Sequence, residues 1–250
     1  MNILQFKYFF NILGRFRNFS MASSYSPVSH VIFDLDGTIL DTETIYTETY
    51  RQVIESFGKT YDNELRLAIT GTKEHDACRV LVESLNLPLT PTEFSLKVQA
   101  LQKPALENPP IKPGAEKLIC HLHHHKIPMA IATSSGEQKC KIKTASHMHL
   151  FKLFSHMVTG STDSEVVNGK PAPDIFLITA NRFPNPPPPE KCLVFEDAPN
   201  GVTGGIAAGM QVVMIPENYV PVEMTKEATL VLKSLEDFKP ELFGLPPYPK

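Results

Sequence analysis

Apolar residues along this chain fall into two rhythms. Three short unbroken runs, Val31 with Ile32 and Phe33, then 127–132, then 192–195, have the length of strands covered on both faces. Elsewhere the apolar positions recur at helical spacing. Tyr50, Val53, Ile54 and Phe57 mark one helix that stops at Gly58, with Asp41 as its expected N-cap. A second helix is expected over 74–84. A third opens at Thr90, Pro91, Thr92, Glu93, where a hydroxyl precedes a glutamate by three residues and proline suits the first helical position. The proline-rich stretch 107–113 interrupts the pattern, helical sequence resumes at Ala115, and strands then alternate with helices. The expected fold is α/β, a doubly wound, Rossmann-like parallel sheet with a helical insertion after the first strand. The boundaries this predicts are 28–45 and 112–250 for the core, 46–111 for a helical cap and 1–27 for an N-terminal extension.

Parallel sheets hold ligands beyond the carboxyl ends of their strands, so the residues that close the apolar runs draw attention. The first run ends in Asp34, Leu35, Asp36, Gly37. Residues two apart on an extended segment share a side, and two carboxylates on one side repel unless a cation lies between them. Oxygen ligands point to a hard divalent cation such as Mg2+, and so to phosphate chemistry. The alternative is a strand-end carboxylate followed by an Asp-Gly turn. The second run ends in Thr133, Ser134, Ser135 and Gly136, which offer hydroxyls and backbone N–H groups at a helix start, as a phosphate seat or as an ordinary cap. Lys170, on a proline-stiffened turn, can neutralise both a phosphate and an attacking carboxylate, or is a surface lysine. Glu196 and Asp197 close the third run, as metal ligands or as a solvated loop.

In this order, from carboxylate strand through hydroxyl strand and lysine turn to acidic strand, the chain resembles the haloacid dehalogenase superfamily of phosphohydrolases over 28–243. The resemblance implies that Asp34 is the nucleophile that becomes an aspartyl-phosphate and that Asp36 is the acid/base. It implies that Thr133 and Ser134 bind the phosphoryl group with Lys170. It implies too that Asp34, Asp197, Glu196 and the main-chain carbonyl of Asp36 hold Mg2+. The helical insertion corresponds to the family's cap, which closes over the phosphate and reads the leaving group. The implied activity is hydrolysis of a small-molecule phosphate monoester. Stretches 170–176, 192–202 and 235–248 are similar to members acting on pseudouridine 5′-phosphate. Glycerol or sugar phosphate hydrolysis and a phosphosugar mutase are the alternatives; a non-catalytic binding protein is disfavoured by the presence of both Asp34 and Asp36.

Composition narrows the picture further. At 250 residues the chain can bury one core and a small accessory one. A formal net charge of −3 and no long basic run argue against a nucleic-acid partner, and no apolar stretch has the length of a membrane span. Cys78, Cys120, Cys140 and Cys192 form no C-x-x-C pair, which suits reduced thiols and a cytoplasmic setting. Residues 1–30 carry Lys7, Arg15 and Arg17 and no acidic residue, so a mitochondrial presequence is the alternative, as is an extension before a second start at Met21. Two further features invite chemistry. His121 and His125, in a cluster with His123 and His124, have the spacing of a helical metal pair, but cationic side chains also suit a helix end. Gly201, Gly204 and Gly205 lack a phosphate-loop lysine and read as a tightly packed helix start, at about 1 kcal/mol of helix propensity each.

Overall fold

The computed structural model describes residues 25–69 and 74–249; the presequence expectation therefore lies almost wholly outside the described residues. Six strands form one parallel sheet: β1 (His30–Phe33), β2 (Met129–Thr133), β3 (Met157–Thr159), β4 (Cys192–Glu196), β5 (Gln211–Met214) and β6 (Leu230–Val231), in the order β3-β2-β1-β4-β5-β6. The helices are α1 (Thr42–Glu55), α2 (Asn63–Ile69), α3 (Glu74–Leu85), α4 (Pro91–Leu106), α5 (Ala115–His124), α6 (Glu137–Thr144), α7 (Met148–Phe151), α8 (Asp174–Asn181) and α9 (Pro199–Ala207). None is long and apolar enough to cross a membrane. None of the four cysteines forms a disulfide.

The alternation of side chains along each strand explains why the runs are apolar without a break. Val31, Phe33, Met129, Ile131, Leu193, Phe195 and Val213 enter one core, with Leu118 and Leu122 of α5 and Phe238 and Phe243 of the C-terminal segment. Ile32, Ala130, Ala132, Val194, Val212 and Met214 enter the opposite core, with Ile175 and Phe176 of α8 and Val202 of α9. A strand with a core on either side has no polar face to show.

Helices α1 to α4 are inserted between β1 and β2 and enclose a third core, in which Tyr50 stacks on Phe94 at 6.1 Å beside Val53, Ile54, Leu81 and Val98. The capping box of α4 forms as the sequence predicts: Glu93 N–H donates to Thr90 Oγ1 (3.2 Å) and Thr90 N–H to Glu93 Oε2 (2.8 Å). Asp41 does not cap α1. Its ψ of 62° departs from the extended backbone that directs a capping side chain, it makes no cap hydrogen bond, and its Oδ1 is buried without a partner. Helix α2 has no counterpart in the predicted pattern, because Ile69 is its one buried residue and, with the partly buried Leu65, makes too short a stripe to read. The two segments that join insertion and sheet are paired: Leu40 bridges Ile111, Asp41 N–H donates to Pro110 O (2.8 Å), and Lys112 N–H to Ile39 O (2.9 Å).

From β1 the chain builds outward to β2 and β3, then returns to add β4, β5 and β6 on the other side. The direction of winding reverses between β1 and β4. Loops leave such neighbours toward opposite faces, which opens a crevice at their carboxyl ends.

Candidate active site

Asp34 is the first residue past β1, and its N–H still donates to Phe195 O (2.9 Å), so the ladder with β4 fixes where its side chain starts. Glu196 ends β4 and Asp197 follows it. Across the crevice, on the turn before α8, Lys170 Nζ donates to Asp34 Oδ1 (2.5 Å), Glu196 Oε1 (2.6 Å) and Ala132 O (3.0 Å). Asp197 N–H and Ala198 N–H donate to the other Glu196 oxygen (3.1 and 3.3 Å), and Thr38 Oγ1 donates to Asp197 Oδ1 (3.4 Å). Two glycines make room for these carboxylates. A Cβ at Gly201 would overlap the Glu196 carboxylate, and one at Gly37, whose φ is +79°, would overlap that of Asp197. The three glycines near the start of α9 thus form no phosphate loop; one of them lets the acidic strand end turn in.

Burial pushes the Asp34 carboxyl up to about 8 against the pull of Lys170, with Glu196 and Asp36 adding to the rise. Asp197 is raised well above the carboxylate range by burial and then by Glu196 and Asp34. Burial works against a charged Lys170, but Asp34 and Glu196 outweigh it and hold the ammonium protonated well above its ordinary range. One ammonium faces three carboxylates, so the pocket is short of positive charge. Asp34, Glu196 and Asp197 each offer an oxygen within 4.8 Å of the others, the one such group among the described residues. A small pocket of oxygen donors short of positive charge fits a hard divalent cation.

The Asp36 side chain lies outside that group. Its Oδ1 accepts from Thr42 Oγ1 (2.7 Å) and Lys143 Nζ (2.6 Å), and its Oδ2 from Ser135 Oγ (2.9 Å), Lys143 Nζ (2.6 Å) and Thr133 Oγ1 (3.4 Å). Burial would raise this carboxyl, but the Lys143 charge and the hydrogen bonds lower it below its ordinary value. Of the hydroxyls at the end of β2, Thr133 is fully buried and Ser135 reaches Asp36. Ser134 is exposed, and its carbonyl accepts from Ser161 Oγ (2.6 Å). Sequence reasoning missed Lys143 and Thr42. Lys143 has one sequence signal: it lies three residues after Cys140 and one before Thr144, on the inward stripe of α6. Where insertion meets sheet, burial pushes Glu43 up to about 7, with Asp36 and Glu217 adding to it, and Lys112 pairs with Glu217 at 2.7 Å.

Of the histidine cluster, His121 is buried and spent on structure. His121 Nε2 bonds Pro246 O (2.8 Å) and its ring lies 4.6 Å from that of Tyr248. His123 and His124 line a groove of about 650 Å³ with His30 and Met129, at the opposite ends of the strands, where no lining residue is a carboxylate.

Residues 28–209 match the haloacid dehalogenase-like hydrolase family. The chain belongs to this family. It is 50% identical over 221 residues to a probable pseudouridine-5′-phosphatase of Drosophila melanogaster, covering 88% of this chain and 96% of that one. It is 41% identical over 232 residues to (DL)-glycerol-3-phosphatase 2 of Arabidopsis thaliana, covering 92% and 96%. A crystal structure of a haloacid dehalogenase family hydrolase from Deinococcus radiodurans, with bound phosphate and sodium, shares the fold at a TM-score of 0.74 and 24% identity, covering 89% of this chain and all of that one. As a haloacid dehalogenase-like hydrolase the chain is an enzyme, and its acidic strand ends lie inside the matched stretch.

Proposed function

We propose that this hydrolase is a magnesium-dependent phosphomonoesterase whose preferred substrate is pseudouridine 5′-phosphate. The observation that carries the reaction class is the convergence of Asp34, Lys170, Glu196 and Asp197 in one buried pocket, with a second carboxylate, Asp36, two residues from the first. The substrate rests on the 50% identity to the Drosophila relative.

An ionised carboxylate needs no base to become a nucleophile. Asp34 attacks phosphorus, forming an acyl phosphate as the bond to the ester oxygen breaks, and Asp36, which first takes up a proton from solvent against the pull of Lys143, gives that proton to the departing oxygen. Water then attacks phosphorus, Asp36 takes a proton back, the bond to Asp34 breaks and inorganic phosphate leaves. Lys170 offsets the negative charge that gathers on Asp34 and the phosphoryl oxygens. Thr133 and Ser134, with N–H groups at the start of α6, are the phosphoryl-binding groups. Asp34, Glu196, Asp197 and the main-chain carbonyl of Asp36 would hold Mg2+, which neutralises the repulsion between an anionic nucleophile and an anionic ester. The cap closes over the crevice and reads the leaving group.

The test is phosphate release from a panel of nucleoside, polyol and sugar monophosphates, with magnesium and after EDTA. Pseudouridine 5′-phosphate should exceed glycerol 3-phosphate in kcat/KM by about tenfold or more, and EDTA should abolish both. The 41% identity to the Arabidopsis relative favours glycerol phosphate as the second reading, which a reversed preference would establish. Steady isomerisation of a phosphosugar with little free phosphate would reject hydrolysis.

A further inference from the structure

The reaction as set out leaves one buried cation without a role. Lys143 is fully buried, and its Nζ lies 2.6 Å from both Asp36 oxygens and 2.8 Å from Ser135 Oγ. Those three acceptors use all three ammonium protons. An ammonium is taken out of water only against a counter-charge, and Asp36 is the one carboxylate that Lys143 pairs with among the described residues. The two neighbouring carboxylates of the site are thus divided between two ammonium groups. Lys170 grips Asp34 together with Glu196, whereas Lys143 grips Asp36 by both oxygens, and the Asp36 side chain keeps 18% exposure.

We propose that Lys143 is a positioning residue for Asp36. It fixes both oxygens of the proton carrier apart from the group formed by Asp34, Glu196 and Asp197, in one orientation toward the crevice. This rests on the reading of Asp36 as acid/base. Proton transfer to a leaving oxygen requires a carboxyl held within hydrogen-bond reach in a fixed direction. The hydroxyls each hold a single oxygen, Thr42 the Oδ1 and Ser135 the Oδ2, and none carries a charge. The Lys143 ammonium spans both oxygens and adds the counter-charge, and its place on α6 ties Asp36 to the helix that begins at the phosphate seat.

The experiment compares Lys143→Met, Asp36→Asn and the double variant on an alkyl phosphate, whose leaving oxygen needs a proton, and on 4-nitrophenyl phosphate, whose leaving group does not. Lys143→Met should lower kcat on the alkyl ester by about 100-fold with KM changed by less than about threefold. On the aryl ester it should form the phosphoenzyme at close to the parent rate and break it down slowly, giving a burst of nitrophenol. The double variant should be no slower than Asp36→Asn alone, because a residue that acts through another adds nothing once the other is gone. Losses that multiply in the double variant, or equal loss on both esters with a raised KM, would overturn the inference. Circular dichroism checks the fold, and Lys143→Gln, similar in length and still a donor, replaces Lys143→Met if that variant does not fold. Parental turnover by Asp36→Asn would defeat the acid/base reading. A slow Asp36→Asn beside an unimpaired, folded Lys143→Met would defeat the positioning role alone.

Discussion

At the scale of single residues, the geometry of the crevice turns on close approaches between charges and backbone. Gly201 sits where a methyl group would overlap the Glu196 carboxylate, so Gly201→Ala should displace that carboxylate although alanine is the better helix former by about 1 kcal/mol. Magnesium affinity, followed by titration calorimetry, is expected to fall about tenfold or more, as one oxygen donor leaves the site. An unchanged affinity would separate Glu196 from the metal. Asp34→Asn should abolish turnover and leave no trappable phosphoenzyme, because an amide cannot take the carboxylate's place in the acyl phosphate. Peptide mapping after rapid quench with a labelled substrate checks this; a label on any residue other than Asp34 in the parent would reassign the nucleophile. Asp34, Glu196 and Asp197 were legible in the sequence because each closes an apolar run, and Lys170 because it stands on a rigid turn. Lys143 was not, because its partner lies 107 positions away and only folding shows that the lysine faces inward.

The elements divide in the same way. Thr90 and Glu93 exchange hydrogen bonds within one turn of chain, and such local chemistry survives in the sequence. Thr90→Ala should destabilise the protein by about 1 kcal/mol in urea unfolding. Asp41→Ala should cost less, since Asp41 stands before α1 without making a cap hydrogen bond and leaves a buried oxygen unpaired. A larger loss at Asp41 than at Thr90 would contradict the geometry of both helix starts. Strands β1, β2 and β4 were legible because both faces are buried. Helix α2 was not, because it contributes only Ile69 and the partly buried Leu65 to its core, and a periodic signal requires several buried turns.

At the scale of the molecule, the buried carboxyls couple the site to stability. Asp34 is raised by burial from its ordinary 3.8 to about 8, so between these values the folded chain keeps a proton that the unfolded chain releases. Stability without metal should therefore fall as pH rises from about 4 to about 8, and Asp197, raised in the same direction, adds to the slope. The melting temperature of EDTA-treated protein should drop across this window, and magnesium should flatten the drop by replacing the proton. A flat or rising profile without metal would contradict the effect of burial. Another whole-molecule consequence comes from the paired segments at Leu40 and Ile111. An insertion whose two ends already touch imposes no span on its host, so the sheet should close on itself without it. Replacing 44–108 by a short glycine-rich turn should leave a folded frame with Asp34 and Lys170 still paired, because neither core beside the sheet draws a buried residue from α1 to α4. Such a frame would be an esterase with no doorway, cleaving bulky and slender phosphate esters with similar ease and leaving its acyl phosphate open to any nucleophile in solution.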